Sequence, residues 1–365
     1  MSTDLLRQLR SEGVSLWLDG VTRSQSASGE LAALVQDRRI TGGAHAPGVL
    51  ADSLHERGYH RQLLDLAARG VDPATSARLL LADDLRLLCD VLAPVHTASD
   101  GRDGLVTAAS AAVPVQAAAA EARALHWAVD RPNVLVRTPV GGAWLAVVSE
   151  LLADGIGVDV GPVYSPERYS EVVDAYFDGL ERARLNGRDL SAIASVATFP
   201  LNHLDAALEN ALDLLRRPGP EPPRHRICTA VARLAYREFD LRYRSDRWRA
   251  LADAGARPQR LLWAATEAAG PAGPDTRHVD GFVAWGVVSA VTPRTLEAVA
   301  DHALLEGDTL SGRHISAERD LANLAWLGVS HRDLARRLEA EHQEQLSSSW
   351  AKLLQRVTDE LERRR

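Results

Sequence analysis

The feature that most constrains the fold is a rhythm. Short apolar segments recur along the 365 residues, with longer amphipathic stretches between them. The short segments are 14–18, 40–44, 105–109, 133–137, 157–163, 194–199, 260–265 and 282–289. Each is apolar or β-branched and bounded by turn residues, as a buried strand should be. The longer stretches read as helices. Segment 165–187 opens with Ser165 as N-cap, Pro166 in the first turn and Glu167 beside it, and it closes near Gly187. Val172, Tyr176 and Leu180 recur on its inner face. Segment 115–128 is alanine-rich and follows Pro114. Segment 330–364 forms one or two C-terminal helices with Trp350, Leu353, Leu354 and Val357 as an apolar stripe.

Strands that alternate with helices pair in parallel, because a parallel pair needs a crossover. The expected fold is therefore α/β: a closed (β/α)8 TIM barrel with additional C-terminal helices. It spans 1–365 as one domain, the helical extension covering about 330–365. A doubly wound open sheet is the alternative, but no G-x-G-x-x-G or P-loop follows the first strand. The Pro-rich segment 218–225 (PGPEPPRH) reads as a connection between helices.

Composition narrows the function. A net charge of −7 argues against nucleic acid as a partner. No apolar run of about 18 residues exists to span a membrane, and the N-terminus lacks the apolar core of a signal peptide. Cys89 and Cys228 are far apart and match no ligand spacing, so two buried thiols in a reduced, cytoplasmic protein are expected. No metal or cofactor motif stands out. One count matters more: Lys352 is the single lysine. It lies in a C-terminal helical stretch and reads as a surface residue.

Several segments carry a resemblance. They are 13–23 (GVSLWLDGVTR), 129–139 (VDRPNVLVRTP), 163–183 (VYSPERYSEVVDAYFDGLERA), 195–205 (SVATFPLNHLD), 255–266 (GARPQRLLWAAT), 299–312 (VADHALLEGDTLSG) and 347–355 (SSSWAKLLQ). Together they resemble transaldolases, in the bacterial form with a long C-terminal helical extension, nearly end to end. The resemblance implies transfer of a dihydroxyacetone unit between sugar phosphates. It also implies a Schiff-base lysine on strand four, an aspartate on strand one, a glutamate on strand three and an asparagine on strand two. Basic residues after strands six and seven would bind phosphate.

Aligned this way, Asp19 keeps the strand-one aspartate, and the lysine position carries Arg137. A guanidinium stays protonated and offers no amine lone pair, so no Schiff base forms there. The asparagine becomes Ala46, the glutamate falls at Ala109, and Asn-x-Thr on strand five becomes Asp159-Val160-Gly161. The serine and arginine of strand six become Thr198 and His203. The basic residue after strand seven becomes Ala269, and Thr-x-x-Gly after strand four becomes Gly141 and Trp144.

Ionisable groups nonetheless stand at strand ends, where barrel enzymes build their sites. Asp19, His45, Arg137 and Asp159 are the candidate catalytic residues. His203, Thr198 and Trp144 are the candidate substrate-binding residues. Arg137 and Asp159 equally suit a structural ion pair. His45 and His203 suit hydrogen-bonded structural histidines, and Trp144 suits a filler of vacated space. Tyr164 and Trp263 are assigned to the core, Arg257 and Arg260 to the surface.

The function expected from these departures is a repurposed enzyme. It would use acid–base and electrostatic catalysis on a small, non-phosphorylated metabolite, with specialised biosynthesis as its setting. A non-catalytic scaffold or partner-binding pseudoenzyme is the alternative, and residual transaldolase activity comes last. The expected partner is a small-molecule substrate, with a protein partner or homo-oligomer left open.

Overall fold

The computed structural model describes residues 2–37, 39–215, 225–267 and 274–364. Ala269 and residues 218–224 of the Pro-rich segment lie outside them. The strands are β1 (Ser15–Leu18), β2 (Gly42–His45), β3 (Val106–Ala109), β4 (Val134–Thr138), β5 (Val158–Val160), β6 (Ser195–Pro200), β7 (Arg260–Ala264) and β8 (Val288–Val291). All pair in parallel in chain order, and β8 closes on β1. The fold is a (β/α)8 barrel, with helices His314–Trp326 and His331–Glu362 added at the C-terminal end.

Side-chain alternation separates two cores. Trp17, Leu105, Leu135, Val196, Leu262, Val288 and Ala290 fill the barrel. Val134, Val136, Val158, Val160 and their neighbours join a larger core beneath the helices. Packing explains the glycine at the start of β2. A Cβ on Gly42 would lie 2.4 Å from Nε1 of Trp17, so the glycine makes room for the indole inside the barrel.

Six strands fall within two residues of the expected segments, and β5 ends three residues early. The eighth moved. The run 282–289 is apolar, but Phe282, Val283 and Ala284 are buried in irregular chain ahead of β8. Val283 donates its N–H to Thr309 Oγ1 and accepts from the Thr309 N–H, each at 2.9 Å. Burial there comes from a loop tucked under the barrel, which periodicity cannot tell from a strand.

Arg260 also departs from expectation. It is buried at the N-terminal end of the barrel, and every N–H of its guanidinium is used. Nε donates to the Gly286 carbonyl. One amino group serves Asp103 and the Arg102 carbonyl, the other Ser15 and the Val287 carbonyl. A five-donor fork can tie this many segments together, which an ammonium group cannot. Arg257 lies nearer the surface and pairs with the fully exposed Asp100.

The helix Pro166–Leu185 starts as its sequence predicts, with Ser165 Oγ accepting the Arg168 N–H. Residues 331–362 form one helix of 32 residues, capped by Ser330. It packs on helices Pro47–Ser53, Arg57–Ala68, Pro73–Ala98 and Leu201–Leu215. Two of these follow the C-terminal ends of β2 and β6, so the last helix lies over the barrel mouth. Arg168 grips Glu339 through two bonds of 2.9 Å, and Arg332 reaches Glu167 at 2.7 Å.

Candidate active site

The mouth is built on four adjacent strands, β3 to β6, with Asp19 after β1. Arg137, next to last in β4, pairs in register with Asp159 of β5. Its Nε donates to Asp159 Oδ2 at 2.7 Å. Asp159 is fully buried and also accepts from Thr107 of β3 and Thr198 of β6, each at 2.5 Å. A carboxylate held by two hydroxyls and a guanidinium has little acceptor capacity left, and Asp159 anchors the Arg137 side chain. The glycine two residues on is needed here: a Cβ on Gly161 would come within 2.9 Å of Thr198.

The Arg137 side chain keeps 24% of its surface exposed. Its two amino groups make no hydrogen bond with any described residue. Burial opposes its charge, but Asp159 and Asp19 outweigh burial and raise its pKa above the usual guanidinium value. Asp19 follows β1 and donates its N–H to the Val291 carbonyl. Burial raises the pKa of its carboxyl, Arg137 and the Gly20 N–H pull it down, and Glu267 and Asp159 push it up. Asp19, Arg137, Asp159 and Thr198 therefore converge on one place.

His45 does not join them. It faces outward from β2, donating from Nδ1 to the Val21 carbonyl at 2.7 Å, with Nε2 3.7 Å from Asp84. Asp84 is buried between His45, Arg23 and Tyr59, whose hydroxyl donates to it at 2.7 Å. The strand-end position is right, but the parity is wrong: neighbours in a strand point to opposite faces. Trp144, the first residue of helix Trp144–Ala153, packs against the outer core.

His203 lies at the rim, exposed as a residue, although protein around its ring lowers its pKa. Tyr164 Oη is 3.5 Å from its Nδ1, so this buried tyrosine, assigned to the core, also touches the site. The last helix contributes a residue that sequence reasoning missed. The His342 ring centroid is 6.4 Å from that of His203. Burial, then the charge of Arg137, then His203 lower the His342 pKa to about 4, and its buried Nδ1 has no partner among the described residues. No strand-end logic points to residue 342. Only the docking of a distant helix brings it in. No cluster of three or more His, Cys, Asp or Glu able to hold a metal occurs among the described residues. None of the described helices is long and apolar enough to cross a membrane.

The pattern of the transaldolase/fructose-6-phosphate aldolase family matches residues 16–357. The chain belongs to that family. It is 42% identical to a transaldolase of Acidothermus cellulolyticus, over 100% of this chain and 98% of the relative. It is 41% identical to a transaldolase of Thermobifida fusca, over 98% of each. It is 40% identical to transaldolase 1 of Streptomyces coelicolor, over 98% of this chain and 95% of the relative.

These relatives correct the functional expectation. Single positions at strand ends led to a repurposed enzyme on a non-phosphorylated metabolite, or to a pseudoenzyme, with transaldolase activity last. Likeness at this level along the whole chain supports ordinary transaldolase function instead. Nothing in it favours a changed reaction, a scaffold role or specialised biosynthesis.

Proposed function

We propose that this family member catalyses a transaldolase-type transfer at the C-terminal mouth of its barrel. Its substrates are a ketose phosphate donor and an aldose phosphate acceptor. Arg137 and Asp19 are the catalytic residues, and no Schiff base forms. The Arg137 guanidinium carries this reading. It is anchored at Nε by Asp159, its amino groups are unengaged, and it is close enough to Asp19 for each charge to shift the other's pKa.

The chemistry follows from those groups. Asp19, as carboxylate, takes the proton of the donor's C4 hydroxyl, directly or through water. The C3–C4 bond breaks, C4 becomes an aldehyde, and the electron pair moves into the former carbonyl to give an enediolate. The Arg137 amino groups hold the developing oxyanion, which a preorganised cation in a shielded site stabilises strongly. The enediolate then attacks the acceptor aldehyde, and the new alkoxide takes the proton back from Asp19. His203 and His342, with pKa values pushed down, are neutral near pH 7 and suit substrate hydroxyls. Asp159, Thr107 and Thr198 fix the guanidinium. The buried free thiols Cys89 and Cys228 suit a reducing, cytoplasmic setting.

The test is fructose 6-phosphate with a short aldose phosphate as acceptor, with and without borohydride. Ketol transfer that borohydride leaves unaffected is expected. Absence of transfer would overturn the assigned activity. Inactivation by borohydride, with a three-carbon adduct on the protein, would overturn the non-covalent mechanism.

A further inference from the structure

A cavity of about 570 Å³ opens at the opposite, N-terminal face of the barrel. Leu105, Pro258, Phe239 and Tyr236 give it apolar and aromatic walls. The rings of Tyr236 and Phe239 stack at 5.6 Å. Its size and lining are those of a small-molecule site.

The charges around the cavity are nearly all spent. Arg260 is committed to Asp103, Asp240 to Arg244 at 2.6 Å, and Arg257 to Asp100 at 3.0 Å. Arg102 is the exception. Its guanidinium makes no ion pair or hydrogen bond with any described residue, and it sits over the Trp285 ring, 5.7 Å from the ring centroid. Trp285 is 63% exposed, yet its ring is seated: a Cβ on Gly13 would lie 2.5 Å from its Cε3. Tyr236 fixes the same residue by donating to the Trp285 carbonyl at 3.0 Å. An exposed indole held in place, under a cation that has no carboxylate partner among the described residues, offers both an aromatic surface and a charge to a flat ring that carries a negative charge.

We propose that this N-terminal face binds a planar aromatic anion, its ring against Trp285 and its carboxylate on Arg102. The site is separate from the mouth, because active sites of this fold lie at the C-terminal ends of the strands. It is therefore a binding site rather than a second catalytic centre.

The probe is 2-naphthoate, with the uncharged 2-naphthamide as control, titrated calorimetrically into the full chain. Saturable binding of one naphthoate per chain is expected, weakened about tenfold or more by Arg102→Gln, a change of roughly 1.4 kcal/mol. Trp285→Ala should weaken both probes, whereas Arg102→Gln should spare the amide. Sugar-phosphate turnover should be unchanged in Arg102→Gln. Three results would overturn the proposal: no saturable binding, equal naphthoate affinity in wild type and Arg102→Gln, or loss of naphthoate binding in Arg137→Ala.

Discussion

At the scale of single residues, Arg137 and Asp19 make opposite demands on stability. Removing Arg137 strands a fully buried carboxylate. Arg137→Ala should destabilise the fold by about 3 kcal/mol, the usual order when one partner of a buried pair is lost. It should also lower kcat/KM by roughly 10²–10³, the order seen on losing an oxyanion-stabilising group. Urea unfolding and steady-state kinetics read the two effects separately. Asp19→Asn should abolish turnover yet stabilise the protein at neutral pH. The sign follows from its pKa, which burial raises. Between the ordinary carboxylate range and the raised value, the folded state holds more protons than the unfolded state, so stability falls as pH rises through that window. Removing the charge removes the loss. The gain in Tm should be present at pH 8 and vanish near pH 3. A gain that persists at pH 3, or a loss at pH 8, would contradict this account of Asp19.

At the scale of elements, strands were easier to place than faces. Buried β-branched runs bounded by turns mark most strand positions, and the transaldolase resemblance singles out Asp19, Arg137, Asp159 and Thr198 at their ends. The face each residue takes depends on register, which is why His45 was put in the mouth although it bonds outward to Val21. The last helix was legible as a helix, but its place was not, because docking depends on ion pairs between distant segments. Those pairs predict how it responds to acid. His331, with Nε2 3.7 Å from the carboxylate, and Arg332, bonded to it at 2.7 Å, lower the Glu167 pKa to about 2. Their contribution is complete above about pH 4.5 and is lost as pH falls through 2. His342 acts at milder acidity. Its folded pKa, about 4, lies below the unfolded value of about 6.5, so unfolding takes up a proton between them and stability falls as pH drops. His342→Gln should flatten the stability profile between about pH 6.5 and 4 and leave the deeper acid loss in place. Urea midpoints measured across that range give the answer, and an unchanged slope would mean that His342 is not buried against Arg137.

At the scale of the whole molecule, the barrel separates two kinds of buried arginine. Arg260 at the base and Arg137 at the mouth both end in a carboxylate. The base uses every donor on structure, while the mouth leaves two amino groups unengaged. Sequence position alone could not make this distinction, and Arg260 read as a surface charge because it starts a strand. Arg260→Lys keeps the charge but cannot reproduce a fork that reaches two side chains and three carbonyls. It should cost about 2–4 kcal/mol, since buried acceptors lose their donors. Turnover per folded molecule should stay at the wild-type value, because the filled barrel lies between the two ends. Sites far apart with no shared partner add within about 0.5 kcal/mol. The double variant Arg260→Lys, Arg137→Ala should therefore unfold at the sum of the two single losses, with the kinetic defect of Arg137→Ala alone. Coupling beyond that margin, or a kcat that falls in Arg260→Lys, would show that the packed interior transmits strain from base to mouth, and that the two ends are not independent.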